Sequence, residues 1–271
     1  MDETTDLIRL CVRCLAIQMA DAPGFELHAT RDAILAFTDE PSADFNRVTL
    51  GLHPGAEAFL TRAVERARER GSPLVATLTP EAAEALSPTL AELGFTQVGS
   101  APLMVLRPLP PLHGERPDPG GSREIGGWGA KTGAPTRAIT LTRALGPKLV
   151  TIAGDLAAAA FDEPRDVLAR MIDATVHETA GFETWIAFDG DTPVSAVTIT
   201  PTGSSAGISL MATPPHLQRQ GWGRAILTRV IEDYRAKGVT RFHLGATAAG
   251  KPLYDSVGFE TVTVLSAWLL T

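Results

Sequence analysis

The sequence predicts an α/β (α+β) protein, with a mixed, mostly antiparallel central sheet flanked by helices. Strand and helix signals alternate through both halves of the chain. Several amphipathic stretches end at a glycine, as helices do. Asp189-Gly190-Asp191 separates two strand-like runs and is a strong hairpin signal. The 271 residues, 44% hydrophobic and 20% charged, suit one large or two ordinary globular domains and exclude disorder of the whole chain.

The elements follow in order. Leu7 to Leu15 reads as the interior of a helix. Ala33 to Phe37 and Arg47 to Leu50 are short apolar runs. From Pro54 to Arg70 the positions Ala56, Phe59, Leu60, Ala63 and Ala67 share one helical face, and Gly71 can end it. Pro73 to Thr79 reads as a buried strand, Pro80 to Leu93 as a helix closed by Gly94, and Phe95 to Leu106 as strands around a turn. Residues 107–137 hold six prolines and seven glycines, a composition that cannot pack a core and reads as a linker. It divides the chain into parts 1–106 and 138–271, each of domain size.

The second part is read more fully. Leu149 to Ala160 and Pro164 to Thr175 predict helices. Thr184 to Phe188, Val194 to Thr200 and Ala206 to Thr213 predict three strands, the last two joined by a turn at Gly203-Ser204-Ser205. Trp222 to Lys237 is a helix with Gly238 after it, Arg241 to Ala246 a strand, Lys251 to Val257 a short helix, and Phe259 to Leu270 the last strand or strands. Both parts end on the same succession of helix, Gly-Phe and strand, at Gly94-Phe95 and at Gly258-Phe259.

Charge and composition exclude some functions. No apolar run approaches the roughly 18 residues of a membrane helix. The N-terminus Met1-Asp2-Glu3-Thr4-Thr5-Asp6 is acidic where a secretory signal would be basic, so a cytoplasmic location is expected. The net charge of −7 argues against a general nucleic-acid binder. Cys11 and Cys14 are the two cysteines, too few for a four-ligand zinc site, and no metal is expected. On a helix they read as two small apolar side chains. Between 219 and 241, six basic residues stand against two acidic ones, either a solvated helix face or a site for a phosphate-bearing molecule.

The segment Leu210 to Ala225 carries the chemistry. Its strand ends at Thr213, where Pro214 and Pro215 stop the ladder. Gln218-Arg219-Gln220-Gly221-Trp222-Gly223 then opens a helix. Glycines allow close approach of a ligand, and first-turn N–H groups attract anions. With Arg219 and Arg224 beside them they make a site suited to a phosphate or pyrophosphate. A Rossmann fingerprint needs a third glycine where Ile226 stands, and a Walker A lysine is absent. Taken alone, Gly-x-Gly is equally consistent with a tight turn.

Combined with Leu253-Tyr254-Asp255-Ser256-Val257-Gly258-Phe259, this segment resembles the GNAT superfamily of acyl-CoA-dependent N-acyltransferases. The resemblance covers roughly 184–262. The first part is similar to the degenerate half of two-domain members, without a Gln-x-x-Gly-x-Gly of its own, which implies two copies of the fold. The implied reaction moves an acetyl group from acetyl-CoA to an amine, small or peptidic, by direct attack in a ternary complex. Leu210, Met211, Ala212 and Thr213 would hydrogen-bond the pantetheine arm. Backbone N–H groups of Arg219, Gln220, Gly221, Trp222, Gly223 and Arg224 would cradle the pyrophosphate, with Gln218 and Ala225 as further cofactor-binding residues. Tyr254 stands where the superfamily's tyrosine protonates the leaving thiolate.

The base is not evident. No carboxylate occurs over 206–213, and His243 on the next strand is the candidate. Glu183 and Asp189 are expected to be solvated, and Ser209 could only orient a water. Family members often carry an asparagine before the tyrosine helix. Here Ala246-Thr247-Ala248-Ala249-Gly250 stands instead, and Thr247 is the candidate substitute. The acidity of the first part would favour a cationic amine. Alternatives are an inactive acyl-CoA-binding sensor or scaffold, and an aminoacyl- or tRNA-linked transferase, which the net charge disfavours. The last strand could pair within its own domain or across a homodimer.

Overall fold

The computed structural model describes residues 2–20, 22–108, 138–172 and 181–271. The strands are β1 (Glu26–Ala29), β2 (Ala33–Phe37), β3 (Arg47–Leu50), β4 (Leu74–Leu78), β5 (Thr96–Leu106), β6 (Thr140–Arg143), β7 (Glu183–Asp189), β8 (Thr192–Thr202), β9 (Ser205–Ala212), β10 (Arg241–Gly245) and β11 (Glu260–Leu270). The helices are α1 (Glu3–Met19), α2 (Ala56–Arg70), α3 (Pro80–Leu93), α4 (Gly146–Phe161), α5 (Arg165–Ile172), α6 (Trp222–Ala236) and α7 (Lys251–Val257).

All strands join one 11-stranded sheet, in the order β1-β2-β3-β4-β11-β5-β10-β9-β8-β7-β6. Pairs β3–β4 and β9–β10 are parallel and the others antiparallel. The centre of the sheet is an exchange. Strand β11, from the C-terminal part, lies between β4 and β5, and β5, from the N-terminal part, lies between β11 and β10. Residues 266–269 of the last strand are therefore paired on both sides within the chain, so that this stretch pairs inside the protein and not across a dimer.

Helices cover both faces. α2 and α3 bury Phe59, Leu60, Leu86 and Leu90 against β2, β3 and β4. α6 and α7 bury Trp222, Ile226, Val230 and Tyr254 on the same side of the C-terminal strands, against Val197, Ile199, Phe242 and Leu244. α4 and α5 pack on the opposite face with Ile186 and Ala196. α1 shares that face and seats Leu7, Ile8 and Val12 on Leu103 and Val105 of β5 and Leu265 of β11. Its start is fixed by Asp2, which accepts from the Thr5 N–H at 2.9 Å, and by ion pairs of Asp6 with Arg241 (2.6 Å) and Glu3 with Arg107 (2.7 Å).

Some expectations change. Residues 96–106 form one strand and not two around a turn, because the ladder with β11 runs on through Gly99 opposite Ala267. The short strands β1 and β6 carry little apolar pattern, and sequence reading passes over them. The helix expected to Thr175 is seen from Arg165 to Ile172, and its end lies outside the described residues. So do residues 109–137, nearly all of the expected linker. Among the described residues no helix is long and apolar enough to cross a membrane.

Candidate functional site

The sheet opens where β9 leaves β10. Their parallel pairing joins Arg241 to Ser205, Phe242 to Ala206 and His243 to Gly207, and goes no further. Beyond it β9 shifts register against β8, between Ala196 and Thr198. Leu210 there takes a left-handed backbone (φ 45°), which bends the strand and turns its free edge away from β10. The bend is braced from behind: Ser195 Oγ donates to the Ala212 carbonyl at 2.7 Å and lies 2.9 Å from Thr213 Oγ1. The result is a wedge with unpaired backbone groups of Leu210, Met211 and Ala212 along one wall. An extended, amide-bearing chain can pair with such an edge.

The wedge leads to the start of α6. Gln218 Nε2 donates to the Thr213 carbonyl (3.1 Å) and Gln220 Nε2 to the His216 carbonyl (3.1 Å), so these two side chains shape the loop. Arg219 (φ 58°) and Gly221 (φ 89°) are both left-handed. Gly221 precedes the helix with no capping side chain, so the first-turn N–H groups face outward. Gly223 is there for space. A Cβ on it would sit 3.3 Å from Leu253 Cδ2, 3.3 Å from Thr213 Oγ1 and 3.4 Å from Met211 Cε. The indole of Trp222 and the methyl of Ala225 face the core, leaving only their backbone for a ligand. Thr247 Oγ1 accepts from the Gly250 N–H at 3.0 Å before α7 and is exposed. The basic island divides: Arg229 meets Asp233, Lys237 meets Glu183 and Arg241 meets Asp6, while Arg219 and Arg224 stay beside the loop.

Tyr254 lies on the α6–α7 side of the wedge. Its ring meets Phe259 edge-on at 5.7 Å, and burial pushes its phenol up to about 12. His243 lies on the α1 side. Its Nδ1 is 3.6 Å from Cys11 Sγ, and its buried Nε2 has no hydrogen-bond partner. Burial, aided by Arg241, lowers the imidazole to about 4, so it is neutral at pH 7. Burial likewise raises the Cys11 thiol to about 12 and the Cys14 thiol to about 11, so neither is a nucleophile at rest. Both cysteines sit inside α1, as expected, and Cys14 Sγ packs against Gly207.

Between α1 and the sheet is a cavity of about 250 Å³. Leu210 and Gly245, on the two sides of the wedge, line it, and so does His243. Ala101 and Leu103 of β5 and Leu265 of β11 line its middle, and Arg47, Thr49 and Thr77 come from β3 and β4. Among the described residues its walls carry no carboxylate, so the surface acids of the first part do not line it as a pocket for a cationic amine. Among the described residues no three His, Cys, Asp or Glu side chains gather as a metal site would require.

Sequence reading missed several participants. Gln18 Nε2 donates to Thr200 Oγ1 (2.8 Å) and Ser209 Oγ (2.7 Å), clamping α1 onto the bent strand and committing Ser209 to that contact. Glu183 is not solvated. It accepts the Tyr234 hydroxyl and pairs with Arg143 (3.1 Å) and Lys237 (3.8 Å). Ser195 and Arg47 are the others. Gln18, Glu183 and Ser195 act through partners far away in the chain, and no local pattern marks them or the place of Arg47 on the cavity wall.

Residues 153–266 match the family model described as an acetyltransferase (GNAT) domain. This segment is therefore similar to GNAT acetyltransferase domains, whose family consists of acyltransferase enzymes. A [ribosomal protein bS18]-alanine N-acetyltransferase of Escherichia coli K12 is 39% identical over 57 residues, which are 20% of this chain and 38% of that protein. The chain thus spans well under half the length of that curated relative. A GCN5-related N-acetyltransferase from Kribbella flavida superposes with a TM-score of 0.66 at 16% identity, covering 99% of this chain and 95% of that one. A tandem GNAT protein from the clavulanic acid biosynthesis pathway does so with a TM-score of 0.58 at 13% identity, covering 98% and 93%. At these identities the likeness is one of fold.

Proposed function

With residues 153–266 similar to GNAT domains, we propose that the chain is an N-acetyltransferase moving the acetyl group of acetyl-CoA to an amine by direct attack. The observation that carries this is the wedge between β9 and β10, opened at Leu210 and leading to the uncapped start of α6. The free edge of Leu210 to Thr213 takes the amides of the pantetheine arm. N–H groups around Gly221, Gly223 and Arg224, with the α6 dipole, take the pyrophosphate, and Arg219 and Arg224 add charge. The thioester then lies at the wedge with its carbonyl toward a β9 N–H, which stabilises the oxyanion. The amine arrives from the α1 cavity, and Tyr254, held protonated by burial, donates to the thiolate from the other face. His243, whose buried Nε2 has no hydrogen-bond partner, is the candidate to take the amine's proton, directly or through water, and its low basicity suits an amine that arrives neutral.

The N-terminal part is proposed as a degenerate copy of the same fold. The pairing pattern supports this. In each part a parallel pair, β3–β4 or β9–β10, is followed by a strand donated from the other part.

Calorimetric titration of the full chain with acetyl-CoA tests the donor site. Micromolar binding is expected, lost in Gly221→Glu, where a side chain is forced into left-handed backbone and brings a negative charge to the pyrophosphate. Free-thiol release with an amine panel then separates an enzyme from an inactive acyl-CoA-binding sensor. No binding to the wild type overturns the proposal.

A further inference from the structure

The cavity is polar at its two ends and apolar between them. Near the wedge are Gln18, Ser209 and His243. Ala101, Leu103 and Leu265 line the middle, and they come from β5 and β11, the two exchanged strands. At the far end stand Arg47 and the hydroxyls of Thr49 and Thr77, 2.7 Å apart. The guanidinium is incompletely matched there. One terminal nitrogen is 3.6 Å from the exposed Asp44, and its buried Nε has no hydrogen-bond partner. A fixed cation in a wall without carboxylates is a receptor for an anion.

The spacing restricts what can use it. Arg47 on β3 and Gly245 on β10 are separated by four interstrand steps. At about 4.8 Å per step these cover about 19 Å across the strands, and the register adds a stagger along them, because Arg47 pairs through Val75 and Leu269 to Thr96 whereas Gly245 pairs to Leu103. An extended arginine reaches about 6 Å from its Cα, and the attacking nitrogen stops about 3 Å short of the thioester. The cross-strand part alone leaves on the order of 10 Å between the acceptor's amine and its anion, and the stagger lengthens it, so the acceptor spans at least about three extended residues of peptide.

We propose that the acceptor is an elongated amine with a carboxylate at its far end, bound by Arg47 of the N-terminal part while its nitrogen lies at the β9–β10 wedge. This rests on the acetyl-transfer reading for the position of the amine, whereas the anion site stands on the cavity itself. The acceptor site is then composite: one part holds the donor and the other selects the acceptor. Alanine peptides of three or more residues with a free C-terminus have the required length and charge and serve as the probes.

The test is calorimetric titration of alanine peptides of three to six residues, each as the free acid and as the C-terminal amide, into the full chain, with and without acetyl-CoA. The free acid is expected to bind about 10- to 100-fold more tightly than the amide, the range for losing a charge-assisted hydrogen bond. Arg47→Gln removes the difference, Arg47→Lys keeps part of it, and Arg62→Gln, exposed on α2, leaves it intact. Should Arg47→Gln not fold, a wild-type series of free acids from alanine to the hexapeptide reads the same site, with tight binding expected only from three residues upward. Equal binding of acid and amide, absence of binding by either, or an acid preference that survives Arg47→Gln overturns the proposal. Acetyl-CoA binding is read in a separate titration, so failure of the donor site and failure of the anion site are distinguishable.

Discussion

Gly207 is the last β9 residue paired to β10 before the sheet opens, and α1 rests directly on it. A Cβ at this position would lie 2.4 Å from Cys14 Sγ, and 3.2 Å from both Cys14 Cβ and His243 Cε1. The backbone is ordinary strand, so Gly207→Ala recovers about 0.5–1 kcal/mol of conformational entropy. Against this, the methyl overpacks a sealed contact, which costs about 1–3 kcal/mol. The net expectation is a loss of about 1–2 kcal/mol, although alanine is the better strand residue. Cys14→Ala alone costs about 1 kcal/mol through its buried sulfur. In the double variant the 2.4 Å clash is gone and only the 3.2 Å approaches remain. The double variant should therefore be about as stable as Cys14→Ala alone, a favourable coupling of about 1 kcal/mol or more. Urea midpoints at constant slope measure all four proteins. Additive losses, or a Gly207→Ala protein as stable as the wild type, would refute the view that α1 is seated on this glycine.

Three further expectations concern the site and its support. Tyr254→Phe should lower kcat by about 100-fold or more while leaving acetyl-CoA affinity within a few-fold, and an unchanged kcat removes the tyrosine from the reaction. With the phenol near 12, no tyrosine limb should appear in a pH–rate profile below about pH 11. His243 is depressed to about 4 from the usual 6.5, so the unfolded chain takes up the proton first. Stability should be fully present above pH 6.5 and fall between there and pH 4, by up to about 3 kcal/mol; midpoints at pH 7.5, 5.5 and 4.5 that do not differ between wild type and His243→Gln contradict this. Glu26 is held down to about 2, first by hydrogen bonds from Arg66 and then by Arg70 at 2.6 Å. Its contribution is present above pH 4.5 and lost as pH falls toward 2; at pH 7 Glu26→Gln should cost about 1 kcal/mol, the scale of a partly exposed ion-pair network, a gap that thermal melts should find narrowing in acid.

The elements of the C-terminal part were legible because each is marked locally. Asp189-Gly190-Asp191 and Gly203-Ser204 close hairpins with glycines at φ 60° and 72°, and α7 spans Lys251–Val257 as expected. The α6 start was legible for the same reason. Pro214, Pro215 and the two glycines act on their own neighbours, one glycine for its φ and the other for the space around it. What could not be read depends on who faces whom. The bend at Leu210 leaves no mark in composition, since leucine does not favour positive φ and is held there by Ser195, the loop and α1. Gln18 and Arg47 lie in sequence more than 150 residues from the strands they face across the cavity. Alternation shows that β5 and β11 are strands, but it does not choose their partners.

That choice of partner makes the site. β4 and β5 run in the same direction with β11 antiparallel between them, and β10 and β11 run in the same direction with β5 between them. Each part therefore leaves a slot one strand wide, and the other part fills it. A strand edge left open in such a slot would expose unpaired N–H and C=O groups and apolar side chains. Leu103 and Val105 of β5 face Leu265 of β11 beneath α1, so the exchange itself forms the cavity floor. An N-terminal part with no donor loop of its own is thus not dispensable. It completes the sheet beside β10, carries α1 over the wedge and brings Arg47 to the far end of the cavity.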